Sequence, residues 1–326
     1  METAWSRMKQ CNGVFEGGGV RGIGHVGAAW EMERAGFRFV DLAGSSAGAI
    51  VAALLAAGYS SKELKTEMES LDYLKLKGKD LIDYFGTAGK VLSILLHFGI
   101  YHTDYLEQWI EELLFRKGIH TFQDVEKTGR RLKITASDLT ARKLLILPDD
   151  LKELGIIPGS FSIASAVRMS VSIPIFFEPV RLRDQRGKVH LIVDGGLLSN
   201  FPIWTLDDGS AGQNRPTLGF RFSDGKQGSC ACSQTCRAEG NLVDYLKSIV
   251  ATCMDAIDHS RIMDGDRERT IQIPTQVEIG GSVKKIGAVD FNISPEECEA
   301  LFENGKRAAA RFLKAWDFAD WKRQYR

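Results

Sequence analysis

The sequence predicts an α/β protein built around a mainly parallel sheet. Three observations predict it. Short apolar runs alternate with helical patterns through the first 57 residues, in β-α-β-α order. Glycines fall where those strands hand over to helices, in "FEGGGVRG" and "AGSSAG". Composition is that of an ordinary globular chain, 44% hydrophobic and 26% charged. A chain of 326 residues is long enough to bury a sizeable core. We read residues 1–326 as one domain, because no repeat and no linker divides them.

The elements follow in order. "CNGVFE" is a short apolar run ending at glycines, which suits a buried strand. "IGHVGAAWEMERAG" has helical spacing and stops at Gly36. "FRFVDLAG" is the second strand and "SAGAIVAALLAAG" the second helix. Residues 60–120 read as mostly helical. Within them "TDYLEQWIEELLFRKG" starts at Thr103 as N-cap and puts Leu106, Trp109, Ile110, Leu113 and Leu114 on one face. The stretch from Leu81 to Ile100, broken by Gly86, Gly89 and Gly99, carries more large apolar residues than a surface helix exposes. It fits a cap over or beside a functional site and a buried core helix equally.

Further on, "RLKITASDLT" and "KLLILP" read as strands and "SIASAVRMSVS" as a helix. "VHLIVDGG" is a strand ending in a turn, and "PTLGFRFS" is another strand. Residues 207–240 are rich in Gly, Ser, Asp and Gln and read as polar surface loop. A helix is expected at 241–259, then the strand "RTIQIPT". Ser294-Pro295-Glu296-Glu297 is a capping box with proline at the first helical position. Leu301, Phe302, Phe312, Leu313 and Trp316 mark the buried side of the helix it opens.

Charge and cysteine content exclude several classes. Lys plus Arg equals Asp plus Glu, 42 each, so there is no basic footprint for nucleic acid. Six cysteines are too sparse for a disulfide scaffold. The start "METAWSRMKQCNGVF" lacks the apolar core of a signal peptide. The longest apolar stretches fall short of the roughly 20 residues that span a bilayer. The expectation is a soluble, cytoplasmic protein.

Three motifs carry chemistry. The first is Gly44-Ser45-Ser46-Ala47-Gly48, a G-x-S-x-G between a strand and a helix. That is where a nucleophile elbow belongs, with Ser46 pushed outward above a helix N-terminus whose dipole favours negative charge. A second match, "DGSAG" at 208–212, has no strand before it. The second motif is Gly17-Gly18-Gly19-Val20-Arg21-Gly22. It satisfies the dinucleotide fingerprint, with Asp41 near the place of the ribose-binding acid. It also suits an oxyanion hole, in which successive glycines expose N–H groups to a developing charge. Glu16 disfavours the dinucleotide, because it sets a negative charge beside the pyrophosphate. Arg21 fits a substrate contact and a solvated surface residue equally. The third motif is Asp194-Gly195-Gly196, an aspartate at a strand end whose glycines allow close approach to another loop; it fits an ordinary Asp-Gly turn as well.

Together, in this order, the motifs resemble those of the patatin-like phospholipase family. "SAVRMSVSIPIFFEPV" and "DGGLLSNFPI", with Asn200 and Pro202, add to the resemblance, which runs from about residue 12 to 315. It implies a three-layer α/β/α sandwich and a lipid acyl hydrolase acting on phospholipids or lysophospholipids. Carried over, Ser46 is the nucleophile, Asp194 the base, and Gly17, Gly18, Gly19 and Gly22 belong to the oxyanion loop. The resemblance also implies no metal or cofactor, a lipid substrate and transient membrane contact. The rival readings are a dinucleotide-dependent oxidoreductase and a catalytically silent lipid-binding member.

Other residues invite overreading. His25, on the helix after the glycine loop, is expected to pack rather than act as a base. Cys230, Cys232 and Cys236 do not have standard zinc spacing. Lys284, Lys285 and the run "RLRDQRGK" are expected as solvated faces or contacts for lipid headgroups.

Overall fold

Residues 9–56 fold as their rhythm predicts, into β1 (Lys9–Phe15), α1 (Gly22–Arg34), β2 (Phe37–Gly44) and α2 (Ala47–Ala56). The computed structural model describes residues 9–71, 98–207, 215–223 and 262–325, with positions 245, 249, 250 and 252. After α2 come α3 (Ser61–Ser70), β3 (Gly99–Tyr101), α4 (Asp104–Arg116) and α5 (Phe122–Lys127). Then follow β4 (Arg131–Asp138), β5 (Lys143–Leu147), α6 (Ile163–Val171), β6 (Ile175–Phe177), β7 (Val180–Arg183) and β8 (Val189–Asp194). The last part holds β9 (Thr217–Ser223), α7 (Asp264–Glu268), β10 (Thr270–Pro274), β11 (Gln276–Ile279), β12 (Ser282–Lys285), α8 (Pro295–Ala315) and α9 (Phe318–Tyr325).

The main sheet runs β10-β9-β1-β2-β4-β8-β7, with β5 also paired to β4. β10, β9, β1, β2 and β4 are parallel, as predicted; β5, β7 and β8 join antiparallel. The register around β4 positions the site. Ile134 pairs with both Gly44 of β2 and Leu147 of β5, so those strands lie on opposite edges of β4. Ala136 pairs with both Leu145 of β5 and Asp194 of β8, so β8 lies on the edge that β2 occupies. β2 and β8 therefore run head-on along one edge, and their ends stop opposite Ile134 and Ala136.

Alternating side chains fill the two sides of the sheet. Phe15 and Leu42 enter the main core with α1, α2 and α8, whereas their neighbours Val14 and Ala43 pack with Phe201, Ile203 and Leu206. α8 begins at the expected Ser294 capping box and buries Leu301 and Phe302 against α1. That contact is close because glycine faces backbone on both helices. A Cβ on Gly27 would stand 2.0 Å from the Phe302 carbonyl oxygen, and one on Gly305 2.0 Å from that of Gly24. No helix among the described residues is long and apolar enough to cross a membrane.

Several expectations need correction. The strand that "PTLGFRFS" predicts is present as β9, between β1 and β10 in the parallel sheet, so the span 207–240 read as polar loop is too wide. Polar flanks on both sides dilute the strand's short apolar run. The mostly helical segment 60–120 contains β3, paired with β6 through Gly99–Ile175 and Tyr101–Phe177. The basic run after Val180 opens as β7, with Arg181 and Arg183 exposed and Leu182 half-buried. Lys284 and Lys285 are exposed, as expected, and Lys284 is also ion-paired to Glu297 at 2.6 Å. The Leu81–Ile100 stretch, apart from its last three residues, lies outside the described residues. So do Cys230, Cys232, Cys236 and the "DGSAG" match. Of the helix expected at 241–259, only positions 245, 249, 250 and 252 are described, and they are helical.

The α1–α8 contact yields a stability prediction. In a free helix, Gly→Ala gains about 1 kcal/mol. Gly305→Ala is expected to lose about 1–3 kcal/mol net, because a backbone oxygen cannot yield as a side chain does. Urea denaturation checks this: the midpoint should fall at unchanged m, and an unchanged or higher midpoint contradicts the packing described.

Candidate active site

β2 hands over to α2 through a turn with no spare room. A Cβ on Gly44 would lie 2.3 Å from the Gly48 carbonyl oxygen, and one on Gly48 2.2 Å from that of Phe15. Both positions therefore exclude larger side chains, as the motif predicts. Ser46 sits between them at φ 50° and ψ −126°, an unfavourable conformation for a residue with a Cβ. Such strain persists only where neighbours over-determine it. Here the Ser46 N–H donates to Ser170 Oγ at 2.9 Å, a bond from α6.

Asp194 ends β8 and is wholly buried. Its N–H donates to the Ser172 carbonyl at 2.9 Å, and its Oδ1 accepts from the Gly196 N–H at 2.7 Å. Oδ2 has no partner of hydrogen-bonding geometry among the described residues. The Ser46 hydroxyl lies beside this carboxyl, near enough to favour its charged form. Burial outweighs that help and the Gly196 N–H, and pushes the Asp194 pKa up to about 7. Gly195 must be small, since a Cβ there would meet the Thr135 carbonyl oxygen at 2.4 Å.

The glycine loop after β1 leans over this pair. A Cβ on Gly17 would lie 3.2 Å from the Ser46 Cβ. Gly18 fits under the Phe222 ring, and Gly19, at φ 55°, under the Ala288 carbonyl, 1.8 Å from where its Cβ would be. The four predicted loop glycines divide by what their N–H groups do. Gly17 donates to the Asn200 carbonyl at 2.9 Å, and Gly22 donates to the Gly19 carbonyl. The N–H groups of Gly18 and Gly19 donate to no group among the described residues. Arg21 turns inward: its Nε donates to the Gly18 carbonyl at 3.1 Å, and its guanidinium lies 4.8 Å from the centre of the Phe222 ring.

The dinucleotide reading loses its supports in this geometry. Asp41 is buried and holds both Arg131 and Arg215 at 2.6 Å, so it does not face a ribose. Glu16 is buried too, accepting from the Phe222 N–H at 2.6 Å and pairing with Arg221 at 3.1 Å. Ala288 and Phe222 close over the glycines where a pyrophosphate would approach.

His25 packs, as expected. It is fully buried, its Nε2 is 2.8 Å from the Glu16 carbonyl, and its ring lies against Phe15 and Phe222. Burial lowers its pKa to about 3, so the imidazole is neutral at physiological pH.

A cleft of about 550 Å³, partly open to solvent, begins at Ser46 and Gly19. Its walls are almost wholly apolar, among them Ile50, Met68, Leu106, Trp109, Phe177 and Phe291. Val171 and Ile173 line it from the end of α6. Sequence reasoning missed the part played by α6, whose Ser170 and the residue after its end, Ser172, hold the backbones of Ser46 and Asp194. The available signal was Ser170, a fully buried serine in an otherwise apolar stretch; Ser172 acts through its main-chain carbonyl, which no side-chain pattern marks.

A family model for patatin-like phospholipase matches residues 13–207. The chain is similar to the uncharacterized protein YqhO of Bacillus subtilis (strain 168), at 39% identity over 312 residues, 94% of this chain and 99% of that protein. It is also similar to the probable lipid hydrolase 463L of Invertebrate iridescent virus 6, at 26% identity over 194 residues, 58% of this chain and 61% of that protein. Among solved structures it is similar to VipD from Legionella pneumophila, with a TM-score of 0.52 at 17% identity, covering 94% of this chain and 67% of that one. That last likeness is one of fold.

The buried carboxyl makes a prediction about stability. Below pH about 4 Asp194 is protonated folded and unfolded, and costs nothing. As pH rises to about 7 the unfolded chain ionises first, and the folded state loses ground by up to about 4 kcal/mol. Asp194→Asn removes this loss. Its stability relative to the parent protein should grow between pH 4 and 7 and level off above. Denaturant unfolding across that range measures the difference, and one that shrinks with rising pH contradicts the raised pKa.

Proposed function

The chain belongs to the patatin-like phospholipase family of lipid ester hydrolases, and from that premise we propose that it cleaves fatty-acyl esters of phospholipids or lysophospholipids through Ser46 and Asp194. One observation carries the reading: a buried carboxyl whose Oδ2 has no settled partner among the described residues, beside the hydroxyl of a strained serine at the head of an apolar cleft.

In the proposed reaction the acyl chain lies in the cleft against Leu106, Trp109 and Phe291. Ser46 Oγ attacks the ester carbonyl while Asp194 takes its proton. The Gly18 and Gly19 N–H groups receive the charge that develops on the carbonyl oxygen. As the tetrahedral adduct collapses, Asp194 gives the proton to the departing alcohol, leaving an acyl-Ser46 ester. A water then gives its proton to Asp194 and attacks that ester, and the fatty acid leaves as Ser46 regains its hydrogen. A carboxyl of ordinary pKa is a poor match for a serine hydroxyl. One near 7 is closer, and still largely ionised at physiological pH.

Lipid is drawn from a surface through transient contact. Apolar side chains beside the cleft support this. Phe98, next to the strand pair that carries Phe177, is 53% exposed, and Val289, two residues before Phe291, is 37% exposed.

A hydrolysis panel of phospholipids, lysophospholipids and neutral acyl esters tests the reading. Ser46→Ala should abolish turnover, and Asp194→Asn should lower kcat on the order of 10³-fold or more, as loss of a triad member does. Activity kept by either folded variant contradicts the assignment. His25→Ala should keep most of its kcat in the folded fraction. If it folds normally and is as inactive as Ser46→Ala, the base is a histidine.

A further inference from the structure

The two loop amides without partners are not left to point at random. A trans peptide is planar, and its C=O and the following N–H point in opposite directions. Holding one carbonyl therefore aims the next amide. The Gly17 carbonyl accepts from Asn200 Nδ2 at 3.3 Å, and the Asn200 main-chain carbonyl accepts from the Gly17 N–H at 2.9 Å. The Gly18 carbonyl accepts from Arg21 twice, from Nε and from the main-chain N–H, each at 3.1 Å. The first anchor turns the Gly18 N–H away from Asn200, and the second turns the Gly19 N–H away from Arg21. On the other side of the loop, Gly19 and Ser46 share the cleft wall.

We propose that Asn200 and Arg21 are positioning residues, which aim the Gly18 and Gly19 N–H groups at the ester oxygen by holding the carbonyls of the same two peptides. This takes Arg21 out of the role of substrate contact. It also gives Asn200, in the loop after Asp194, a link between the base and the oxyanion hole. The inference rests on the reading that Ser46 attacks an ester.

Two substrates separate aiming from binding: a phosphate-bearing lysophospholipid and an uncharged chromogenic acyl ester. Arg21→Met is unbranched and apolar beside the Phe222 ring, and loses the Nε donor and the charge. Arg21→Lys keeps the charge and loses the same donor. Asn200→Asp keeps the shape and loses the Nδ2 donor. Each should lower kcat about 10- to 100-fold on both substrates, short of the 10²–10³-fold cost of removing an oxyanion donor outright. KM should stay within about twofold, and fluorophosphonate labelling of Ser46 should slow in parallel. A loss confined to the phosphate-bearing substrate, or a raised KM with kcat kept, makes Arg21 a substrate contact and overturns the proposal. Full activity of Arg21→Lys overturns it too. Should Asn200→Asp not fold, the two Arg21 variants decide alone. Absence of labelling in the parent protein overturns both this inference and the dyad, whereas labelling equal in parent and variants overturns this inference only.

Discussion

The site depends on two strands ending head-on along one edge of β4. β2 and β8 point at each other from opposite directions, and their last residues stop opposite Ile134 and Ala136. Whatever follows β2 must turn sharply out of the sheet, and whatever ends β8 is buried in the gap. The turn after β2 becomes the strained elbow at Ser46. The residue in the gap is Asp194, without solvent. An all-parallel sheet would carry both strand ends to the same rim. The antiparallel entry of β8 is what sets a carboxylate against the serine.

Burial of that carboxylate has opposite consequences for stability and for chemistry. It weakens the folded state as pH rises from about 4 to 7, because the charged form lacks a full set of donors. It also raises the pKa toward the range where a carboxylate accepts a proton efficiently. The surrounding polar groups are arranged around this compromise. The end of α6 holds both backbones, through Ser170 for Ser46 and Ser172 for Asp194. Arg168, on the same helix, is tied to α4 through Glu107 at 2.6 Å and Asp104 at 2.7 Å. α4 in turn supplies Leu106 and Trp109 to the cleft. The cleft wall and the backbone anchors of Ser46 and Asp194 thus belong to one packed unit.

Much of this was legible before any coordinates. β1, α1, β2 and α2 stood out because periodicity and glycine punctuation agree in residues 11–57. The N-terminus of α8 was legible from its capping box. Gly44 and Gly48 were readable as close-approach positions because a strand-to-helix turn allows little else. What was illegible is short or long-range. β3 and β6 are three residues each and make sense only once paired. The different duties of the four loop glycines depend on Asn200 and Ala288, which are far away in sequence. Asp41 looked like a ribose acid by spacing alone; its two arginine partners come from β4 and the approach to β9. Arg21 looked like a surface residue or a substrate contact, because nothing in its neighbourhood says that its Nε folds back onto a carbonyl three residues before it.

The pH dependence of Ser46 phosphonylation tests the central claim most directly. A fluorophosphonate reacts with the serine only as fast as a base removes its proton, and needs no lipid surface. The account predicts a rate that rises with pH, levels above a midpoint near 7 and is lost in Asp194→Asn at every pH. A rate that survives Asp194→Asn with the same midpoint would show that another group takes the proton, and that the meeting of β2 and β8 does not make the base.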